Sequence, residues 1–145
     1  MGLKQKSFKK VKGIKDLLVI ITTKEGMKFG GFTPLSYNGL RKYIVDNSLI
    51  TFIFSLNKRT KFTLKEHENK YAILDHPSLG PVFGVGDISI SNDSNQNEKS
   101  YSELLCTFDN TSLNIKSDTK EAKVYLAGSY NFKTVEIEVF HVLKA

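Results

Sequence analysis

Glu136 and Glu138 are the two residues of this chain whose types and spacing come nearest to a catalytic pair. Side chains two apart on a strand share a face about 7 Å apart, and carboxylates at such a separation can divide acid and base work at a glycosidic bond. Val135, Ile137 and Val139 alternate with them, which is how a half-exposed strand separates its apolar and polar sides. The pair is therefore expected on the polar face of a strand rather than in a catalytic centre, with Phe140 interrupting that face.

Other constellations fall short for definable reasons. Gly80, Gly84 and Gly86 give a glycine-rich loop, but a phosphate cradle needs a following helix N-terminus or a lysine-serine/threonine pair, and Asp87-Ile88-Ser89-Ile90 instead opens a strand. Asp93, Asn95 and Asn97 alternate as in a calcium loop, yet Glu98 replaces the required glycine and Leu104 stands where the bidentate glutamate belongs. His67, His76 and His141 lack metal-ligand spacing, and Asp75-His76 followed by Ser78 lacks a nucleophile elbow. The lone Cys106 can form neither an intramolecular disulfide nor a thiolate cluster, and a strand period would bury it beside Leu104 and Phe108. No catalytic residue, cofactor or metal is expected.

The elements that must position these residues are mostly short strands. Leu17 to Thr23 (LLVIITT) is β-branched and apolar on both faces, suiting a doubly covered strand; Glu25-Gly26 turns it back into Met27 to Phe32. A short helix is expected within Ser36 to Val45. Ser48 to Leu56 alternates, Ile50, Phe52, Phe54 and Leu56 forming its apolar face and Thr51 and Ser55 its polar one. Further strands are expected at Lys61–Leu64, Tyr71–Leu74, Asp87–Ser91, Leu104–Phe108, Lys123–Ala127 and Thr134–Leu143, with Asn92 to Ser100 a mobile polar loop. Glycine-aromatic clusters at Phe29–Phe32, Gly80–Asp87 and Leu126–Phe132 border these runs, marking bends and close backbone approaches. Together they predict a mainly β fold with a few short helices, an antiparallel two-sheet β-sandwich.

Composition bounds the function. With 145 residues the chain is one domain with a self-sufficient core, and no apolar run reaches the ~18 residues of a membrane span. No signal peptide precedes the first strand, so a cytoplasmic location is expected. The net charge of +6 is concentrated: residues 1–16 hold six lysines (Lys4, Lys6, Lys9, Lys10, Lys12 and Lys15) and one acid, while the remaining fifteen basic and fourteen acidic side chains nearly cancel. The expected organisation is a lysine-rich arm or short helix over 1–16 and a neutral globule over 17–145, which argues against a nucleic-acid-binding surface. The arm instead suits docking on an acidic assembly such as microtubules or anionic membrane.

Read in order, Leu17–Ile21, Lys28-Phe29-Gly30-Gly31-Phe32-Thr33, Thr51–Leu56, Gly80-Pro81-Val82-Phe83-Gly84, Asp87–Ile90, Leu126-Ala127-Gly128-Ser129 and Glu136–Phe140 resemble the TLDc (TLD) domain family over Phe8 to Leu143. Family members usually carry a further N-terminal stretch before the segment matching Phe8, where this chain has Met1 to Ser7, so that part of the domain is expected to be missing or shortened. The resemblance implies a β-sandwich module found in oxidation-resistance proteins, without an established catalytic site, that protects against oxidative stress and binds the vacuolar-type proton-pumping ATPase. It also implies that Gly30, Gly31, Gly80, Phe83, Gly84, Asp87, Gly128, Glu136 and Glu138 are signature positions serving fold or partner binding.

Overall fold

A computed structural model describes residues 8–143 and the backbone of residues 2–6. Its strands are β1 (Gly2–Lys6), β2 (Leu17–Thr23), β3 (Lys28–Thr33), β4 (Lys42–Ile44), β5 (Phe52–Ser55), β6 (Thr60–Leu64), β7 (Ile73–Asp75), β8 (Leu79–Phe83), β9 (Ile88–Ser91), β10 (Ser100–Tyr101), β11 (Phe108–Asp109), β12 (Asn131–Phe132) and β13 (Thr134–Leu143). They form two antiparallel sheets, a seven-stranded one ordered β1-β13-β2-β3-β5-β6-β11 and a six-stranded one ordered β12-β10-β9-β8-β7-β4. The expected β-sandwich is thus observed, and its core is aromatic: Phe29, Phe62, Phe83 and Phe108 are wholly buried with Leu17, Val19, Ile21, Ile53 and Val139. Four such rings supply much of the apolar area that a domain of this size needs to offset its chain entropy.

The hairpin of β2 and β3 turns at Gly26 as expected, and β13 lies between β1 and β2, pairing with β2 from His141↔Leu17 to Thr134↔Thr23. The register shifts between Thr134 and Glu136, so Val135 bulges into solvent at 60% exposure instead of joining Ile137 and Val139 on the inner side. Residues 2–6 stand as an edge strand on β13, and Phe8–Lys10 forms one 3-10 turn whose Phe8 ring packs edge-on against Tyr37, with Val11 buried. The division into an arm over 1–16 and a body from 17 is therefore not the one the chain adopts: pairing with β13 draws the first strand into the sheet.

Four local expectations are corrected. Residues 36–45 contain β4 rather than a helix, because the Asp75 carboxylate accepts N–H bonds from Asn38, Gly39 and Leu40 (2.7–3.2 Å) and fixes an open loop there. Along Ser48–Leu56 the buried side is that of Thr51, Ile53 and Ser55, while Ile50 and Leu56 are exposed. Thr51 is held inward by its hydroxyl and amide, both donating to buried Asp46 (2.7 and 2.9 Å), and by Thr33 at 3.0 Å. Lys120–Val124 is a helix, α1, rather than part of a strand: the Thr119 hydroxyl caps it by accepting the Ala122 N–H at 3.2 Å, and Gly128 at φ +84° follows its end. Leu104–Phe108 is a turn with Leu105 at φ +72°, so Leu104 and Leu105 are both buried and only Phe108 enters a strand.

The polar loop after β9 is tied down. Ser94 shares a 2.6 Å hydroxyl bond with Thr134, and Asn97 bonds the Ser91 hydroxyl, the carbonyls of Asn92 and Asp93, and the Lys99 amide. Side-chain amides that mimic turn hydrogen bonds give such a segment a defined path without any apolar residue.

Candidate functional site

The signature residues fall into two places. The first centres on Asp87, at the start of the turn-to-strand step into β9 and wholly buried. Its carboxylate accepts the Thr107 N–H with both oxygens (3.0 and 3.1 Å) and the Phe108 N–H at 3.1 Å, while its own carbonyl accepts the Ser102 hydroxyl at 2.8 Å. The Thr107 hydroxyl in turn accepts the Val85 N–H at 2.9 Å. Two segments twenty residues apart in sequence are thereby locked into one unit. Burial pushes the Asp87 pKa up to about 7, against the lowering effect of the Thr107 and Phe108 hydrogen bonds and of the Lys65 charge.

Gly84 makes this packing possible. Its φ is +70°, and a Cβ there would come within 2.4 Å of Asp87 Oδ1 and 2.8 Å of Thr107 Cβ. Phe83 sits beside it in β8, its ring over Gly31 of β3, where a Cβ would meet ring carbons at 2.7 Å, so Gly31 and Phe83 form a single contact between the two sheets. Gly80 likewise leaves room for Ile90. Thr107 escapes sequence reading altogether, since nothing local distinguishes it; only the unusual Gly-Val-Gly-Asp run at 84–87 signals that a buried carboxylate needs partners from elsewhere.

The second place is the outer face of the larger sheet, which carries Glu136 and Glu138. Glu136 is exposed and opposite Thr22; Glu138 is half-buried and opposite Ile20. Thr22 Oγ1, between them and β3, is buried without a hydrogen-bond partner. The two carboxylates share a face, as their spacing predicts; their immediate cross-strand neighbours on β2 are Thr22 and Ile20, and the same rows reach Lys28 on β3 and Lys61 on β6.

Glu136 also lines a cleft of about 1070 Å³, together with Lys9, Lys12, Tyr37, Asp75 and Asp93. Of the lysines within residues 8–16, these two line it. Lys4 and Lys6 belong to β1, and Lys10 and Lys15 are not among the residues lining the cleft. Among the described residues the sole ion pair joins Lys123 to Asp118, so Lys9 and Lys12 have no carboxylate partner. No group of three or more potential metal ligands occurs among the described residues.

Cys106 is half-buried on the 104–107 turn, beneath the Lys65 side chain that donates to the Leu105 carbonyl at 2.6 Å. Burial first, and the nearby Asp87 and Glu103 carboxylates second, push its thiol pKa up to about 11. The thiolate is the nucleophile, so alkylation by iodoacetamide at pH 7.5 is expected to run roughly a hundredfold slower than for free cysteine, recovering as pH approaches 11. A rate equal to that of free cysteine would show that the turn opens or that the charges are misplaced.

A family model for the TLDc domain matches residues 2–143, nearly the whole chain. No curated protein matches it.

Proposed function

The chain belongs to the TLDc domain family, and from that premise we propose that it is a non-catalytic protein-interaction module of oxidative-stress protection that binds and regulates a vacuolar-type proton-pumping ATPase at its peripheral stalk. The observation that carries this reading is the use to which the signature residues are put. Gly31, Phe83, Gly84 and Asp87 are spent on joining the two sheets and the 101–108 segment, and Asp87 is sealed from solvent. Glu136 and Glu138 lie on the outer sheet face beside Thr22 and Ile20, with no third carboxylate in their rows. Protection through a partner is also easier to reconcile with a thiol whose pKa is raised than direct scavenging is.

Titration of the purified protein with isolated peripheral-stalk subunits, at about 50 mM and about 500 mM salt, tests the proposal. Binding that persists at the higher salt is expected, because a packed interface is screened much less than exposed charges are. Absence of binding at either salt rejects the pump as partner. Catalysis is addressed separately: hydrolysis of a glycoside panel by the parent protein that disappears in Glu138→Gln would reject the non-catalytic reading.

The unpaired Lys9 and Lys12, with Lys10 and Lys15 nearby, favour a second reading, a scaffold component docked on tubulin or anionic membrane through this basic edge. Here the salt dependence is steep, and changing Lys9, Lys10, Lys12 and Lys15 to glutamine is expected to weaken vesicle or microtubule binding at least tenfold, since each surface cation near an anionic membrane contributes about 1 kcal/mol. Unchanged binding would remove this reading.

A further inference from the structure

We propose that the outer face of the seven-stranded sheet is a homodimer interface, on which two copies stack face to face about a two-fold axis running along β3. The register of four consecutive strand pairs places Glu138, Ile20, Gly30, Phe54 and Lys61 in a single row across β13, β2, β3, β5 and β6. The adjacent row is Phe140, Leu18, Phe32 and Phe52. Residues alternating with these, among them Val19, Phe29, Ile53, Phe62 and Val139, are wholly buried in the core, so both rows face away from it.

The Glu138 row is apolar in its middle and charged at its two ends, with opposite signs, while a third row beyond it holds Glu136, Thr22 and an exposed Lys28 on β3. Phe32 stacks on Phe52 at 5.8 Å, Phe54 lies 6.1 Å from Phe52, and Lys61 Nζ sits 4.2 Å over the Phe52 ring. All of these rings are half-buried, and none of them belongs to the core cluster or packs against it. A contiguous apolar sheet face of this kind marks an interaction surface. Its charge arrangement selects the occupant. A two-fold axis parallel to the strands and passing over Gly30 reverses the strand order of the second copy, placing Glu138 of each copy over Lys61 of the other. An axis running across the strands would oppose Glu138 to Glu138. In the favoured arrangement Ile20 meets Phe54 twice and Phe32 meets Phe32, at the ~10 Å spacing of packed sheets. Among the described residues neither Glu138 nor Lys61 has an ion-pair partner within its own chain. The two rows are self-complementary, as an isologous interface must be, and Lys28, at the exposed end of β3 beyond Gly30, meets its own counterpart at the rim.

Five strands at ~4.8 Å spacing make a face about 19 Å wide, narrower than the interface of a tight obligate dimer, so a dissociation constant in the micromolar range is expected. Sedimentation equilibrium of the full chain from about 1 to 100 μM, with a thermal melt of each protein, is the test. The parent is expected to dimerise reversibly. Glu138→Lys and Lys61→Glu alone each oppose like charges twice per dimer and are expected to weaken association about a hundredfold or more; the double reversal is expected to restore it to within about tenfold of the parent. Should Glu138→Lys fail to fold, Lys61→Glu, at an exposed position, decides. A parent that stays monomeric at 100 μM overturns the proposal, whether or not the face binds another protein. So does a dimer indifferent to Lys61→Glu, or a folded double variant no better than its singles.

Discussion

Replacement of Asp87 by alanine is expected to destabilise the protein by about 3–5 kcal/mol, enough to abolish cooperative folding in a domain of ordinary marginal stability. The change strands the Thr107 and Phe108 N–H groups in a site with no solvent access, where each unsatisfied donor costs about 1–3 kcal/mol. It also loosens the 101–108 segment, whose remaining tethers here are the Glu103 N–H to the Gly86 carbonyl (2.8 Å), the Val85 N–H to Thr107 and the Ser102 hydroxyl to the Asp87 carbonyl (2.8 Å). Asp87→Asn is the sharper probe because it keeps the shape. The acid has a folded-state pKa of about 7 against an unfolded value of 3.8, so the native protein holds a proton that the unfolded chain has released. That contribution is fully present below pH 3.8 and is lost as pH rises through 7; a shift of this size corresponds to about 4 kcal/mol. Asparagine cannot ionise, so the stability gap between parent and Asp87→Asn is expected to narrow steadily from pH 4 to pH 7. Urea melts at three pH values measure it, and a gap that widens over that range would mean that Asp87 is ionised in its cavity.

Gly30→Ala is expected to be worse still, yielding insoluble protein or a loss exceeding about 4 kcal/mol. A Cβ on Gly30 would stand 1.8 Å from the Val19 carbonyl oxygen and 2.8 Å from its carbon. Both are backbone atoms inside the β2–β3 ladder, so no side-chain rotation relieves the clash and the strands must part. Because β2 also carries β13, which in turn carries β1, separation at this point detaches a three-stranded block from the rest of the sheet. Expression of Gly30→Ala beside the parent, with circular dichroism of any soluble fraction, checks the expectation. A soluble variant melting within a few degrees of the parent would show that the β2–β3 spacing has slack.

The sheets were legible in the sequence where a strand's own residues decide its fate. LLVIITT, the Glu25-Gly26 turn and the alternation of 134–143 are local signals, and β2, β3 and β13 follow them. What was illegible depended on distant partners. The apolar and polar faces of Ser48–Leu56 were exchanged because Asp46 and Thr33 hold Thr51 inward, a polar attachment that alternation cannot reveal. Lys123–Ala127 contains enough β-formers to resemble a strand, and only the Thr119 cap and Gly128 give the helix away. At the site the glycines and Asp87 could be singled out by spacing, whereas Thr107, Ser102 and Phe108, which complete it, come from a turn whose own pattern resembles a strand.

The position of β13 also governs how the chain acquires its structure during synthesis. β2 emerges from the ribosome early, but one of its two neighbours begins only at Thr134. Until β13 follows, the β-branched run Leu17–Thr23 and its hairpin with β3 present an unsatisfied edge to solvent or to a neighbouring nascent chain. The larger sheet closes only when β13 slots between β1 and β2. Folding of this domain is thus a late, nearly all-at-once event, with a high proportion of contacts between distant residues. A ribosome stalled before residue 134 therefore holds a substrate for chaperones rather than a partly working module.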